Sequence, residues 1–266
     1  MASKFGKYKK HNNSKTTIKY NNIIKGPNAI LEALKENISL SKIILGENAN
    51  SKAIQTIAKI AAKKNIKVEK LSSSQIYQIG VRNSQNALAF VNDYKYSTLE
   101  NLEKTLQTEN YSKIVLALDS ISDPQNLGAI IRSAAAFGIK YIIITKHKSA
   151  QITSGVWKAS AGQVARVKII RVSSLANTIK RLKTLNFYTL SLDGKANNKI
   201  SDSNLKKQLK DERLLVIFGS EGQGISRLVL EKSDFIAKIP INEKVESLNV
   251  SVSAGITLFE LLKPSP

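Results

Sequence analysis

Between Lys113 and Gly219 the chain carries two short runs that are apolar almost without interruption, "KIVLALD" (113–119) and "KYIIIT" (140–145), and "VKIIRV" (167–172), "FYTLSLD" (187–193) and "RLLVIFG" (213–219) continue the series. A strand with one wet face alternates polar and apolar residues. Most of these runs do not alternate, which is the mark of strands buried on both faces in a parallel sheet. Segments of helical character lie between several of them, notably 126–137 and 174–186. The combination predicts an α/β fold with a parallel sheet covered by helices on both sides. Ligands bind such sheets beyond the carboxyl ends of the strands, which directs attention to the loops after Leu118, Phe218 and Ile239.

A smaller αβ unit precedes this one. "GPNAILEALKEN" offers Ala29, Ile30, Ala33 and Leu34 at helical spacing behind Pro27, and "SKAIQTIAKIAAKKN" is a second helix with Ser51 as its N-cap. "SKIILG", "IKVEKL" and "NALAFVNDY" read as strands. The pattern divides the chain into a basic arm (1–20), a small αβ unit (21–92), a polar linker with an amphipathic "LENLEKTL" (93–112) and the larger αβ unit (113–266).

Composition removes several function classes. There are no cysteines, hence no disulfides, thiolate metal ligands or cysteine nucleophiles, which suits a reducing, cytoplasmic setting. His11 and His147 are the only histidines, too few for a histidine metal site or a Ser-His-Asp triad, so no metal is expected. No apolar run reaches the length of a membrane span. Lys and Arg total 41 against 20 acids, a formal charge of +21. Such a field attracts polyanions, nucleic acid first among them. Only seven of the 41 are arginine, which also fits a lysine-rich proteome with basic surfaces. The first 25 residues hold seven lysines and no acid, as either a phosphate-tracking arm or a solvated tail.

Three segments carry chemistry. In "DSISDPQNLGAIIRSAAAFGI" (119–139) a helix starts near Asn126, and Ile130, Ile131 and Ala134 around Arg132 predict a partly buried guanidinium with a defined partner, typically carboxylate or phosphate. "VIFGSEGQGIS" (216–226) runs a strand into Gly219, Gly222 and Gly224. It lacks both the phosphate-loop spacing and the G-x-G-x-x-G order, and Glu221 would repel a pyrophosphate. It suits a ligand bearing hydroxyls, amines or positive charge, although a plain tight turn would also account for it. The third segment follows Pro240 and contains Ser247-Leu248-Asn249.

Taken in this order, "DPQNLGAIIRSAAAFG", "VIFGSEGQGIS" and "IPINEKVESLNVSVSAG" resemble the SpoU family of RNA ribose 2′-O-methyltransferases over residues 113–262. The unit from Ile23 to Val91 is similar to the ribosomal-protein-like RNA-binding domain that precedes the catalytic domain in that family. In layout the chain is nearest the large-subunit rRNA guanosine methyltransferases. The resemblance implies an S-adenosyl-L-methionine-dependent enzyme, a deep trefoil knot near the C-terminus and a homodimer. It implies that backbone around Gly219, Ile239 and Leu248 holds the cofactor. It also matches Asn126, Arg132, Glu221, Ser247 and Asn249 to the family's functional positions, with Arg132 acting on the 2′-hydroxyl and target phosphate. An rRNA substrate is favoured over tRNA. A tRNA 2′-O-methyltransferase, or a non-catalytic RNA-binding protein, is the alternative. An oxidoreductase would need G-x-G-x-x-G after the first strand, which is absent. Two positions depart from the family: Gly26-Pro27-Asn28 stands where relatives often have Gly-x-His, and Ser84-Gln85-Asn86 where they tend to have His-Gln-Gly.

The last segment is ambiguous by periodicity. Ser247, Asn249, Ser251 and Ser253 alternate with Leu248, Val250 and Val252 as in a strand. The apolar content nevertheless continues to Leu262, too long for a typical strand, and Pro264 marks an end. The expectation is a helix from Ser247 to Leu262. It would have one stripe through Leu248, Val252, Ile256 and Phe259, and a small-residue stripe through Ser247, Ser251 and Gly255.

Overall fold

The computed structural model describes residues 23–79, 85–108 and 113–262. The basic arm, Ser84 and Pro264 lie outside the described residues. The small unit consists of β1 (Ile23–Lys25), α1 (Pro27–Lys35), β2 (Leu40–Gly46), α2 (Lys52–Lys63), β3 (Val68–Leu71), α3 (Ser73–Gln78) and β4 (Ala87–Val91). Its sheet has the order β1-β4-β2-β3, with β4 antiparallel to both neighbours and β3 parallel to β2. Ser51 caps α2 through its hydroxyl, which accepts the Ile54 N–H, as the sequence predicts.

Helix α4 (Leu99–Thr108) follows within the segment read as a linker. The larger unit then runs β5 (Ile114–Asp119), α5 (Pro124–Ala136), β6 (Tyr141–Thr145), α6 (Ser154–Ala159), β7 (Lys168–Val172), α7 (Leu175–Lys183), β8 (Phe187–Leu192), β9 (Asn198–Lys199), α8 (Ser203–Leu209), β10 (Arg213–Gly219), α9 (Arg227–Glu231), β11 (Phe235–Lys238) and α10 (Val250–Leu262). Its seven strands are all parallel in the order β7-β6-β5-β10-β8-β11-β9. All five apolar runs are strands of this sheet.

The lack of polar alternation has a direct structural meaning. Successive residues of a strand point to opposite faces. Leu116, Leu118, Val216 and Phe218 therefore join one core with α5, α6 and α10. Val115, Ala117, Leu215 and Ile217 join another with α4 and α7. Every residue of β5 is buried. Helix α4 is part of this second core: Leu99, Leu102 and Leu106 sit with Tyr141, Ile143 and Ile170, and Arg181 of α7 pairs with Glu100 and Glu103.

The two units dock closely. A side chain at Gly162, which has φ +84°, would come within 2.8 Å of the Ala29 Cα. Glu32 of α1 takes a 2.8 Å ion pair from Arg166, just before β7. Burial works against the Glu32 charge, yet hydrogen bonds from Lys35 and Arg166 hold its carboxyl below the usual carboxylate range. Within the larger unit, α5 crosses α6 at Gly128, where a Cβ would lie 2.4 Å from the Ala159 Cβ and 3.0 Å from the Ser160 nitrogen. Gly128→Val should therefore destabilise the protein by about 1–3 kcal/mol through overpacking, measured as a lower midpoint in urea denaturation with an unchanged slope.

Candidate active site

The site lies at the carboxyl ends of the central strands β5 and β10, where the sheet topology places it. Asp123 ends the loop after β5 and caps α5: its carboxylate accepts the backbone N–H groups of Gln125 (3.0 Å) and Asn126 (3.3 Å). With Pro124 at the first helical position, this starts the helix two residues before Asn126 and fixes where that side chain points. Asn126 is 8% exposed.

The glycine loop after β10 folds back on its own strand. Ser220 and Gly224 exchange backbone hydrogen bonds of 3.1 and 2.9 Å. A side chain at Gly219 would meet the Gly224 carbonyl carbon at 2.1 Å, so only glycine fits. Gly222 and Gly224 have φ of +84° and +67°, the left-handed region, with open space where a Cβ would project. The loop carries Glu221 at its exposed tip.

Helix α10 begins at Val250, three residues later than the periodicity suggests, and Ser247-Leu248-Asn249 forms the loop ahead of it. The cause is Asn249. Its Oδ1 accepts the Ser251 N–H at 2.9 Å and the Ser251 hydroxyl at 2.6 Å, an N-cap that terminates the helix at its own position. Its Nδ2 donates to Asn126 Oδ1 at 2.9 Å and to Glu221 Oε1 at 2.7 Å. Asn126 Nδ2 donates to the same Glu221 oxygen at 3.0 Å. The first turn of α5, the glycine loop and the loop ahead of α10, far apart in sequence, are thus joined in one hydrogen-bonded triangle.

The structure brings together Asn126, Glu221 and Asn249, with Gly219 at the base of the loop that holds Glu221. Leu248 is half-buried beside Asn249, and Ile239 packs against the main core at the end of β11. Ser247 is exposed and takes no part in the triangle. Arg132 corrects an expectation: it is exposed on α5, and no hydrogen bond or ion pair ties it to another side chain among the described residues. Its linear neighbours Ile130, Ile131 and Ala134 are buried, but they share a helix face that Arg132 does not. The stripe expected on α10 forms from Val252, Ile256 and Phe259 but faces outward, and Leu248 lies ahead of the helix. The buried face is Val250, Ala254, Thr257 and Leu258, while Val252, Ile256 and Phe259 are exposed. Gly255 does face α5, where a Cβ would lie 3.8 Å from the Ser133 hydroxyl.

Sequence reasoning passed over Asp119. This carboxylate, 6% exposed at the end of β5, accepts the Ser226 N–H at 2.9 Å and the Ser120 hydroxyl at 3.1 Å. The available signal was an acid closing an otherwise apolar buried strand. The two departing segments of the small unit meet each other: Gly26 donates its N–H to Ala87 O, and a Cβ on it would lie 3.3 Å from the Gln85 side chain. Among the described residues no cluster of His, Asp and Glu could hold a metal ion, and no helix is long and apolar enough to cross a membrane.

Residues 113–259 match the model of the SpoU rRNA methylase family. The chain belongs to that family. Residues 23–97 of this SpoU protein match the RNA 2′-O ribose methyltransferase substrate-binding domain. It is 34% identical over 240 residues to the TrmH family tRNA/rRNA methyltransferase YacO of Bacillus subtilis, covering 90% of this chain and 94% of that one. A TrmH family tRNA/rRNA methyltransferase of Staphylococcus aureus is 36% identical over 241 residues, covering 91% and 95%. Among solved structures, the SpoU methyltransferase AviRb of Streptomyces viridochromogenes, in complex with AdoMet, superposes with a TM-score of 0.73 at 17% identity over 90% of this chain and 88% of that one. An AdoMet-bound rRNA methyltransferase of Sinorhizobium meliloti gives 0.74 at 20% identity, over 91% and 87%. These likenesses establish a SpoU-type α/β domain with a parallel sheet, preceded by a substrate-binding domain.

The triangle predicts a specific pH response. In Asn126→Asp two carboxylates would share the space now held by one, and like charges at that distance raise the pKa in the folded state. Stability of the variant should match the wild type below the ordinary carboxylate pKa of about 4 and fall behind it as pH rises above that value. Thermal melts of both proteins between about pH 4 and 8 check this.

Proposed function

We propose that the protein is an S-adenosyl-L-methionine-dependent RNA methyltransferase that acts on a ribose 2′-oxygen. Its substrate in this reading is a guanosine of large-subunit ribosomal RNA in preference to a tRNA. The observation that carries the proposal is the convergence of the loops after β5, β10 and β11 on the Asn126–Glu221–Asn249 triangle. The family membership, the relatives named as tRNA/rRNA methyltransferases and the matched substrate-binding domain support the reading. The small unit, present ahead of the catalytic one, favours rRNA.

The residues present fit the cofactor. Gly222 and Gly224 leave open space beside a turned backbone, and Glu221 puts a carboxylate at the loop tip, suited to amine, hydroxyl or sulfonium groups. Backbone around Gly219, Ile239 and Leu248 would hold it. When bound, S-adenosylmethionine supplies a methyl group on a positively charged sulfur. The chain's own contribution is placement. In-line displacement needs the attacking oxygen aligned with the methyl carbon, and such alignment can be worth ~7–11 kcal/mol. Asn126 and Asn249 fix Glu221 and hold the three loops in one register. Arg132, exposed and without a partner among the described residues, is available to take an incoming phosphate and the 2′-hydroxyl. A guanidinium keeps its charge, so in this reading Arg132 orients the hydroxyl and stabilises the oxygen as negative charge develops there. In this reading Ser247 helps to orient Arg132 and the cofactor.

The same reading includes a trefoil knot and a homodimer. Strand β10 lies between β5 and β8, and the chain returns from β11 through α10 to pack on α5, a course compatible with threading. For the homodimer, α10 presents Val252, Ile256, Phe259 and Leu262 on one exposed stripe, with Phe259 54% exposed. A stripe of that kind on a helix suits a second copy of the chain.

Incubation of unmodified rRNA and tRNA with labelled S-adenosylmethionine, followed by mapping of 2′-O-methyl groups, tests the function; label should enter rRNA. Arg132→Ala should lower transfer at least 100-fold while cofactor affinity stays within about threefold. Near-wild-type transfer by that variant would exclude the role given to Arg132. Phe259→Glu should convert a dimer to a monomer in sedimentation; a wild type that sediments as a monomer would exclude the dimer.

A further inference from the structure

The cofactor loop is clasped at both ends, and the two clasps differ. At its start, Gly219 presses against Gly224, and Ser220 and Gly224 exchange two backbone hydrogen bonds. At its exit, at Ser226, the partner is the side chain of Asp119 on the neighbouring strand. Register puts Asp119 directly opposite Gly219, so the residue that ends β5 faces the residue that opens the loop. Its Oδ2 accepts the Ser226 N–H at 2.9 Å, and its Oδ1 accepts the Ser120 hydroxyl at 3.1 Å. Ser120 reaches it from a left-handed conformation, φ +64°, that a non-glycine residue rarely adopts.

A buried carboxylate is costly unless its charge is met. Here, among the described residues, it is met by a backbone N–H and a hydroxyl rather than by Lys or Arg. Five apolar residues precede Asp119 in β5, and an apolar sixth would bury more easily. Placed where it is, the acid takes up the free N–H at the start of α9, whose N-cap Ser226 makes no side-chain cap of its own. The hydrogen bond ties the exit of the loop to the end of the neighbouring strand.

We propose that Asp119 is a positioning residue that latches the exit of the glycine loop to β5 and thereby holds the cofactor-binding shape of residues 219–226. It acts through the loop, not on the reacting atoms. The inference rests on the cofactor reading above, but the latch itself can be read without cofactor.

Two measurements separate the possibilities. Hydrogen exchange of the Ser226 amide, in the full chain without ligand, should be at least tenfold faster in Asp119→Ala and unchanged in Asp119→Asn. The carboxamide of the asparagine can still accept from Ser226 and donate to the Ser120 oxygen. Calorimetric titration with S-adenosylhomocysteine should show the alanine variant at least tenfold weaker and the asparagine variant within threefold of wild type. In the methylation assay, KM for S-adenosylmethionine should rise with the alanine substitution more than kcat falls. A role confined to stability would lower the active fraction and leave KM and the Ser226 exchange rate unmoved, which overturns the latch. So would an asparagine variant as weak as the alanine one, since the charge and not the hydrogen bonds would then matter. Failure of the wild type to bind S-adenosylhomocysteine would overturn the cofactor reading, with the latch still decided by exchange. Should Asp119→Ala not fold, Ser226→Pro removes the same N–H at a residue whose φ of −60° suits proline, and must reproduce the loss of affinity.

Discussion

One planar amide group holds the site together. The Asn249 carboxamide has an acceptor side and a donor side, and the structure uses both. The oxygen caps α10, and the nitrogen bridges Asn126 and Glu221. No other short side chain does both jobs. Aspartate would cap the helix but present acceptors to the Glu221 carboxylate, and serine would cap it without reaching either partner. The start of α10 and the position of the Glu221 loop are therefore set by the same group. Moving the cap by one residue would turn the helix face by about 100° and leave Glu221 and Asn126 without their common donor.

This coupling explains what the sequence does and does not reveal. β5, β6 and β10 are legible because burial on both faces leaves a nearly uninterrupted apolar run, and the two less regular runs are also strands of the larger sheet. The beginning of α10 is not legible because Ser-Leu-Asn-Val-Ser-Val satisfies the strand period and the helix period alike. The cap that decides the boundary depends on partners 28 and 123 residues away. Arg132 is a different case. Its buried neighbours are adjacent in the sequence but not on the helix face, and Leu127, Ile130, Ile131 and Ala134 already fill the inward stripe. Helical geometry alone turns Arg132 outward, away from that stripe.

The three glycines of the loop show the same limit on a smaller scale. In sequence they are alike, and together they say only that the backbone turns. In the fold they do separate things. Gly219 lets two stretches of backbone touch, at a distance no Cβ would permit, whereas Gly222 and Gly224 supply left-handed turns with open space around them. Only the latter two leave room that a ligand could occupy. Asp119 was hidden for the opposite reason: an acid at the end of a strand usually marks the point where the chain meets water, and here it remains buried.

The smaller unit is tied into the same frame rather than tethered beside it. The hydroxyl of Tyr96, ahead of α4, accepts the Ile152 N–H at 2.9 Å, and Arg171 stacks on the Tyr96 ring at 4.6 Å. Two residues earlier, Ala150 donates its N–H to Ile121 at 2.8 Å, within the loop that leads to Asp123 and Asn126. On the other side, Glu32 and Arg166 pair across the units, and Gly162 brings their backbones together. The connection from the substrate-binding domain to the loop after β5 therefore runs through short hydrogen bonds at largely buried positions, where they are less screened than at the surface. Glu32 stays ionised below the ordinary carboxylate range, so the ion pair across the units persists throughout the neutral range and is lost only in acid. The two units therefore meet through a pair that is charged at neutral pH as well as through the close backbone approach at Gly162.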